Sequence, residues 1–590
     1  MSMSANRGES FDRRGFVKIA TAGMAAGAAS TALGTRHEAS ASETSLDARP
    51  EGGKSFDVLT DTPSFLEPPA VPTSVAHEMS CDVLVIGAGT SGNPAARAAA
   101  EAGANVIAID KGAGLGYVPS SQDFGVVGSK LQEQLGIEWE PKNVIVKQLM
   151  KDMCYRPNPR LLNYWYENSG AAFDWAIDGV DYQLLKNSVD EPTQEIFIRP
   201  KMFPALDGYD YHEEYYPYFH GTLMTLPSSQ WVMQNCVDKA QAAGAQFIYG
   251  MYAEQLITDA DGAVVGAYAH DVDGNYTKFN AKAVILTCGD MAGNKEMLTY
   301  YAPQASQFTV FYSRMDSQGN PANTGDGHRM AIWAGASMEL GPYAPMTHHV
   351  GGPLGVDAFL QLNSQGERFM NEDVPGQNIQ DQLSRQPGGY SWQIVDDNWR
   401  DELEAQGTGH GYVNHYLSDE EAAKKPWIMD SVFLGYVTDD VFLNGDPAHF
   451  KQGITCQADT IEELAEKMGL PADVVVAQID RYNELCDKGE DEDFGKDSRR
   501  MFRIDEPPFS ATKFEQTSML VCPGGIKCDL DLHALTADDR VVPGLYVAGN
   551  NMGGRFLVEY PVTVAGISLG TALTFGKLAG ENAAREALEK

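Results

Sequence analysis

The chain has no Cys-x-x-Cys pair and no Cys-x-x-Cys-His run. Its eight cysteines (Cys81, Cys154, Cys236, Cys288, Cys456, Cys486, Cys522 and Cys528) are widely spread, which rules out a covalent c-type haem and a zinc ribbon and does not fit an iron–sulfur run or a disulfide framework. Cys522 and Cys528 flank a Gly-Gly turn and read as two separate thiols. Positive charge is also scarce: 44 Lys and Arg against 81 Asp and Glu give a net charge of -37. Such a surface repels nucleic acid and anionic lipid, so neither is expected as a partner. No run of about 18 purely apolar residues occurs, so no transmembrane helix is expected. What is present is ample core material, 43% hydrophobic and 10% aromatic over 590 residues, more than one compact domain needs.

The first forty residues differ from the rest. Phe11-Asp12-Arg13-Arg14-Gly15-Phe16-Val17-Lys18 leads into a mildly apolar Ala/Gly stretch, Ile19 to Gly34, and Ala39-Ser40-Ala41 offers an A-x-A cleavage site. Paired arginines followed by a weakly hydrophobic segment make a twin-arginine (Tat) signal, assigned to residues 1–41. Export to the periplasm or another extracytoplasmic compartment is the expectation. That route carries folded proteins, as a protein loading a cofactor in the cytoplasm requires. Residues 42–77 are polar, Pro-rich and unpatterned, and read as a linker.

Cys81 to Ile86 is a short apolar run that reads as a buried parallel strand. Gly87-Ala88-Gly89-Thr90-Ser91-Gly92 follows, then an Ala-rich helix to Ala102, a turn, and a second strand, Val106 to Ile109, closed by Asp110. A G-x-G-x-x-G between strand and helix, with an acidic residue about twenty positions on, is a dinucleotide fingerprint. Gly87 makes the turn, Gly89 admits a pyrophosphate, Gly92 lets helix and strand pack, and Asp110 is placed to accept from ribose hydroxyls. The far end of the chain favours a flavin over a nicotinamide. Pro543 to Asn550 is a strand running into a Gly turn, and Gly566-Ile567-Ser568-Leu569-Gly570 opens a second helix whose N-terminus suits the electron-rich N1/O2 edge of a reduced flavin.

Three internal segments complete the pattern: Ala281 to Asp290 (AKAVILTCGD), Thr324 to Ala331 (TGDGHRMA) and Leu362 to Glu372 (LNSQGERFMNE). From about Cys81 to Glu586 the chain resembles the fumarate reductase / succinate dehydrogenase flavoprotein superfamily, which includes the 3-ketosteroid dehydrogenases. The resemblance implies an α/β fold: a Rossmann-like FAD-binding domain (78–342 and 509–590) interrupted by an α+β capping domain (343–508) that closes over the flavin. With it the expected FAD contacts are Gly87, Gly89, Thr90, Ser91, Gly92, Asp110, Lys111, Ala253, Gly289, Asp326, Asn550, Gly566, Ser568 and Leu569. No histidine lies between His77 and His212, the stretch in which succinate dehydrogenases attach FAD, so noncovalent FAD is expected.

The sequence departs from the dicarboxylate enzymes of that superfamily. Asp373-Val374-Pro375-Gly376-Gln377 carries no arginine where the resemblance places a proton donor, and the Glu/Arg relay positions fall on Gly352 and Gly355. The substrate-binding arginine falls near Tyr560, and the histidine before the late Gly pair near Leu520 or Val521. Two carboxylates are therefore not expected at the flavin. Val558-Glu559-Tyr560-Pro561 ahead of the Leu573-Thr574-Phe575-Gly576 helix leans toward the ketosteroid branch, with spacing two residues longer, and looks like a group of Tat-exported reductases of anaerobic bacteria.

The expected reaction is hydride transfer from FAD N5 to an activated C=C bond, an enone or enoate, with a hydrogen-bond donor for the developing enolate and an acid for the second carbon. Tyr560 is the first candidate, with Arg555 and Glu559 in the same loop and His349, beside His348, near the cap entrance. Each has a structural alternative: flavin packing for Tyr560, a salt bridge for Arg555, a framework role for the histidines. The aromatic stretch Tyr209 to Phe219 reads either as pocket lining or as a packed loop beneath the cap. Electrons are expected from a membrane-linked cytochrome or flavoprotein. Two other readings stay open: a ketosteroid-type dehydrogenase passing electrons to a quinone or cytochrome, and a non-catalytic flavin electron carrier.

Overall fold

The described elements used below, numbered in chain order, begin with β1 (His77–Ile86), α1 (Gly92–Glu101), β2 (Val106–Asp110), β3 (Asp123–Gly125), α2 (Lys142–Asp152), β4 (Phe197–Pro200), β5 (Thr222–Leu226), β6 (Gln246–Tyr249), β7 (Tyr252–Thr258), β8 (Val264–His270) and β9 (Tyr276–Leu286). There follow β10 (Leu360–Asn363), α3 (Gly376–Leu383), β11 (Tyr390–Val395), β12 (Tyr436–Val437), β13 (Cys456–Ala458), α4 (Ile461–Met468), α5 (Ala472–Lys488), β14 (Phe509–Glu515), β15 (His533–Leu535), β16 (Val541–Val547) and α6 (Ile567–Glu589). The computed structural model describes residues 62–115, 122–186, 190–201, 210–220, 222–306, 308–310, 314–348, 352–407, 414–429, 435–446, 451–515 and 518–590. The Tat segment and most of the linker lie outside these residues.

The largest sheet runs β15-β16-β9-β1-β2-β6, parallel from β16 to β6, with β7 and β8 folded onto β9. Its centre is apolar on both faces: Val83 to Val85 of β1 are fully buried. Register sets β1 Val83–Ile86 against β2 Val106–Ile109 on one side and β9 Ala283–Leu286 on the other. The expected strand–turn–helix–strand unit is therefore present, and its sheet is completed by strands from much later in the chain. Helix α6 packs on α1 at backbone distance. A Cβ at Gly576 or Gly580 would be driven into the main chain of Ser91 or Ala95.

A second, antiparallel sheet, β10-β11-β14-β13, carries α4 and α5 on one side. Its core joins Leu360, Leu362, Trp392 and Ile394 to Leu464, Val475 and Ile479. This is the α+β cap. It differs from the sequence reading at one edge. β14, placed by sequence with the returning FAD segment after residue 508, is a cap strand, because Ser510–Glu515 pairs along the whole of β11. A third, small sheet, β3-β5-β4 with the short strand Gln183–Leu184, packs on α6 through β3 and has Tyr436 of β12, in a cap ribbon, near Arg199 of β4. One face of it is apolar, with Phe124, Ile198 and Leu223 packed together. The other face turns toward the N-terminus of α6, where Thr222 Oγ1 donates to the Ala565 carbonyl at 2.6 Å and Gly125 N–H to the Gly566 carbonyl at 2.9 Å.

Candidate active site

The dinucleotide turn is built as its glycines require. Gly87 has φ +98°, and a Cβ there would strike the Thr287 carbonyl; a Cβ at Gly92 would strike the Gly87 carbonyl. Gly89 is different: a Cβ there would meet just the tip of Arg314, at 3.7 Å. Gly289, at φ +83°, faces open space. Asp110 is buried at the end of β2. Its carboxylate accepts the Ala88 N–H (2.7 Å), the Gly112 N–H (2.6 Å) and Arg314 Nη2 (2.6 Å). Arg314 was not anticipated from sequence. It brings a guanidinium to the turn where an anionic pyrophosphate is expected.

The other expected contacts surround the same groove. Lys111 Nζ reaches Asp326 (2.6 Å) and Thr324 (2.9 Å), and Asp326 also takes Arg329. Ala253 sits in β7, paired with Ala269. Thr90 and Ser91 lead into α1, and Ser91 is its N-cap. Asn93, wholly buried in the first turn of α1, has neither amide atom partnered among the described residues. Open glycine positions, a cation at the turn, an unpartnered amide and two helix N-termini, those of α1 and the 23-residue α6, fit a dinucleotide with an anionic centre.

The loop after β16 carries the chemistry. Arg555, fully buried, does not reach into a cleft. Nη1 donates to Thr571 Oγ1 (2.7 Å), and Nη2 donates to the Gly549 carbonyl (2.5 Å) and to Asn550 Oδ1 (3.3 Å). It pins the Gly549–Asn550 turn to α6. Burial draws its pKa down to about 10, so it stays charged. Glu339 fastens the same loop by accepting the Gly554 N–H (2.6 Å) and the Gly525 N–H (3.2 Å), and burial pushes its carboxyl up to about 7. Val558 is held at φ +72°, where a β-branched residue is strained.

Tyr560 is 3% exposed and packs on Phe556. Its hydroxyl oxygen accepts the Ser568 N–H at 3.1 Å, in the first turn of α6. Burial raises the phenol pKa, while the Ser568 N–H and the nearby Arg555 oppose the rise. Leu569, next along α6, packs against the apolar cluster of the small sheet.

Glu559 opens onto a cleft facing the cap and hydrogen-bonds Asp381 of α3. Asp152 at the end of α2 is close by and accepts from Thr563 Oγ1 and from Gln148 Nε2 (2.7 Å). Restricted solvation, then the neighbouring Asp381, push the Glu559 pKa well above the carboxylate range; burial raises Asp381 and Asp152 as well. Two touching carboxyls cannot both ionise cheaply, so the pair holds a proton, and Glu559 is the member that keeps it. Tyr216 faces the same cluster, its pKa pushed up to about 12 by burial and then by the surrounding anions.

The aromatic loop divides between the two sequence readings. Phe219 is tied down, its N–H donating to the Thr563 carbonyl (2.8 Å), Tyr215 is exposed, and Tyr216 lines the cleft. In the segment without arginine, Gln377 is buried with both amide atoms unpartnered among the described residues. His349 lies outside the described residues, and His348 is described as backbone of a short strand alone. Sequence reasoning missed Asp152, Asp381, Arg314 and Glu339, which come from separate elements with no local motif.

A family model described as an FAD binding domain matches residues 82–562. A vinyl phenol reductase of Lactiplantibacillus plantarum is 26% identical over 536 residues, which cover 87% of this chain and 98% of that protein. Among solved structures, the open conformation of a flavocytochrome c3 fumarate reductase matches 93% of this chain and 83% of its own at 23% identity, with a TM-score of 0.58. A 3-ketosteroid-delta4-(5alpha)-dehydrogenase from Rhodococcus jostii RHA1, in complex with 4-androstene-3,17-dione, matches 88% of this chain and 99% of its own at 21% identity, with a TM-score of 0.63. These structural likenesses speak for the fold, and the family match spans most of the chain. The chain belongs to the FAD-binding-domain family, within the fumarate reductase / succinate dehydrogenase-like superfamily, and is an FAD-dependent oxidoreductase.

Proposed function

We propose that the protein is an exported reductase of an activated C=C bond, in an enone or enoate of small size, with noncovalent FAD and a membrane-linked cytochrome or flavoprotein as electron donor. When bound, FAD supplies the hydride equivalent. The chain's own residues supply orientation and protons. The Tyr560 hydroxyl is free to donate a hydrogen bond to the acceptor's conjugated oxygen, keeping its proton, while its own oxygen receives the Ser568 N–H. Negative charge developing on that oxygen is then stabilised through the phenol by the N-terminus of α6. Glu559, whose burial and contact with Asp381 hold its proton above the ordinary carboxylate range, provides the proton that the second carbon requires, and Asp381 at the cleft wall passes a replacement from solvent. One hydride and one proton saturate the double bond.

The observation that carries this reading is the pairing of a phenol seated on a helix N-terminus with an adjacent protonated carboxyl, on a loop held by Arg555 and Glu339. The reductase name of the Lactiplantibacillus relative supports the direction. The Arg13-Arg14 leader supports export. The test is anaerobic reoxidation of the dithionite-reduced protein, followed by flavin absorbance, against enones, enoates, steroids, fumarate and quinones. Fast reoxidation by a neutral or monoanionic unsaturated acceptor, with fumarate inert, is the expected result. Reoxidation by quinones alone would replace this reading with a ketosteroid-type dehydrogenase.

A further inference from the structure

Arg199 lies in β4 and is 2% exposed, yet Nη1 and Nη2 have no hydrogen-bond partner among the described residues. Strand alternation fixes where it points. Ile198 packs with Phe124, Phe173 and Leu223, so Arg199 and Lys201 turn to the opposite face. On that face lie Asp123, Thr222 and the N-terminus of α6. The two cations differ in one respect. Lys201 Nζ is neutralised by Asp123 Oδ2 at 3.0 Å, and Asp123 is close enough to bear on the Tyr560 phenol. Among the described residues no carboxylate pairs with Arg199, and the ionisable group acting on it is the Tyr436 phenol of β12, in the cap ribbon. Even so it remains protonated, its pKa drawn down by burial to about 10. A buried cation without a counter-charge is costly unless a ligand brings one.

We infer that Arg199 is a substrate-recognition residue that receives one carboxylate of the acceptor, beneath the cap at Tyr436 and on the sheet face that leads to Tyr560. The guanidinium presents two parallel donors that match a carboxylate in a planar, bidentate fashion, which an ammonium does not. Among the described residues there is one unmatched cation on this face, since Lys201 is already paired, so the site takes a monoacid and discriminates against a dicarboxylate. The inference rests on the C=C reductase reading and narrows it to the enoate or aryl-enoate class.

The test compares trans-cinnamate with its methyl ester on the FAD-loaded full chain, by equilibrium binding to the oxidised protein (flavin difference absorbance and calorimetry) and separately by reoxidation of the reduced protein. Wild type is expected to bind the acid more tightly than the ester, and Arg199→Gln to lose about a hundredfold in acid affinity while leaving the ester unchanged. Arg199→Lys, which keeps the charge and loses the fork, is expected to recover part of the preference and also serves if the glutamine variant folds poorly. Equal wild-type affinity for acid and ester, no detectable binding of the acid, or an acid preference that survives in Arg199→Gln would overturn the inference. Acid binding that depends on Arg199 without reoxidation by either compound would instead overturn the reductase reading and leave the carboxylate site standing.

Discussion

The Arg368 ion network of the cap and the buried charges of the cleft are arranged on opposite plans. In the cap, Arg368 makes a double contact with Glu372 (2.9 and 2.9 Å) and another with Asp491 (3.0 and 2.8 Å). Lys496, also buried, donates to the Ala358 carbonyl and the Tyr482 hydroxyl and lies 3.6 Å from Glu372. Cations and anions match in number and each side chain is hydrogen-bonded. In the cleft, Asp152, Glu559 and Asp381 gather without an ion pair among the described residues, and Arg199 is a cation without a carboxylate. Matched buried ions fix a shape. Unmatched ones hold protons or await a ligand, so the cleft is where function should be sought and the cap network where stability should.

Four experiments would sharpen or break that contrast. The largest effect is expected at Gly92→Ala, where the added methyl has to displace the Gly87 carbonyl; the purified protein should emerge without flavin absorbance, and a fully loaded variant would show that the turn is looser than drawn. Next, Arg368→Ala leaves Asp491 buried without its cation and Glu372 with Lys496 alone, at a cost of about 3–5 kcal/mol by denaturant unfolding. A loss well below 1 kcal/mol would remove the claim that the cap ions hold the shape. Third, Tyr560→Phe keeps the packing on Phe556 and removes the hydroxyl; turnover should fall about a hundredfold at unchanged flavin content.

The smallest expected effect is on stability, at Glu559→Gln. The native pKa of Glu559 lies above its ordinary 4.5, so the native state retains a proton that the unfolded chain releases. Its contribution turns against the wild type as pH rises through that ordinary value, and the deficit grows until Glu559 itself ionises. The variant should therefore match wild type near pH 4 and melt about a degree or two higher at pH 8. Over the same range wild-type turnover should decline while the variant's stays low and flat. A melting difference that does not change with pH would mean Glu559 is an ordinary carboxylate.

The dinucleotide end was legible because its constraints are local. Gly87, Gly92 and Asp110 fall within one strand–turn–helix–strand unit; the two glycines make the turn and the close packing that their spacing implies, and Asp110 ends the second strand and braces the turn. Glu559 and Tyr560 were legible as a loop, but sequence does not say which way each side chain turns. Arg555, a few residues away, was equally eligible for the cleft and instead points into the protein, because Thr571 and the Gly549 carbonyl lie there. Asp152, Tyr216 and Asp381 reach the cleft from a helix, a loop and the cap, and no window of sequence contains them together. Arg199 and Lys201 left a faint trace: two cations on alternate positions of a short strand in a strongly acidic chain. The cap edge was misplaced for a related reason, since β14 reads as any half-buried strand until its partner β11 is known.

The seam between α1 and α6 has a consequence for how the protein is made. The turn that begins the nucleotide site is translated early, but its helix lies backbone to backbone against one that begins at Ile567, and its central strand is flanked by β9, itself bordered by β16. A nascent chain can shape the turn long before it can close it. Captured FAD is thus a marker of finished synthesis, and a ribosome that stops short of α6 should release a chain that is colourless.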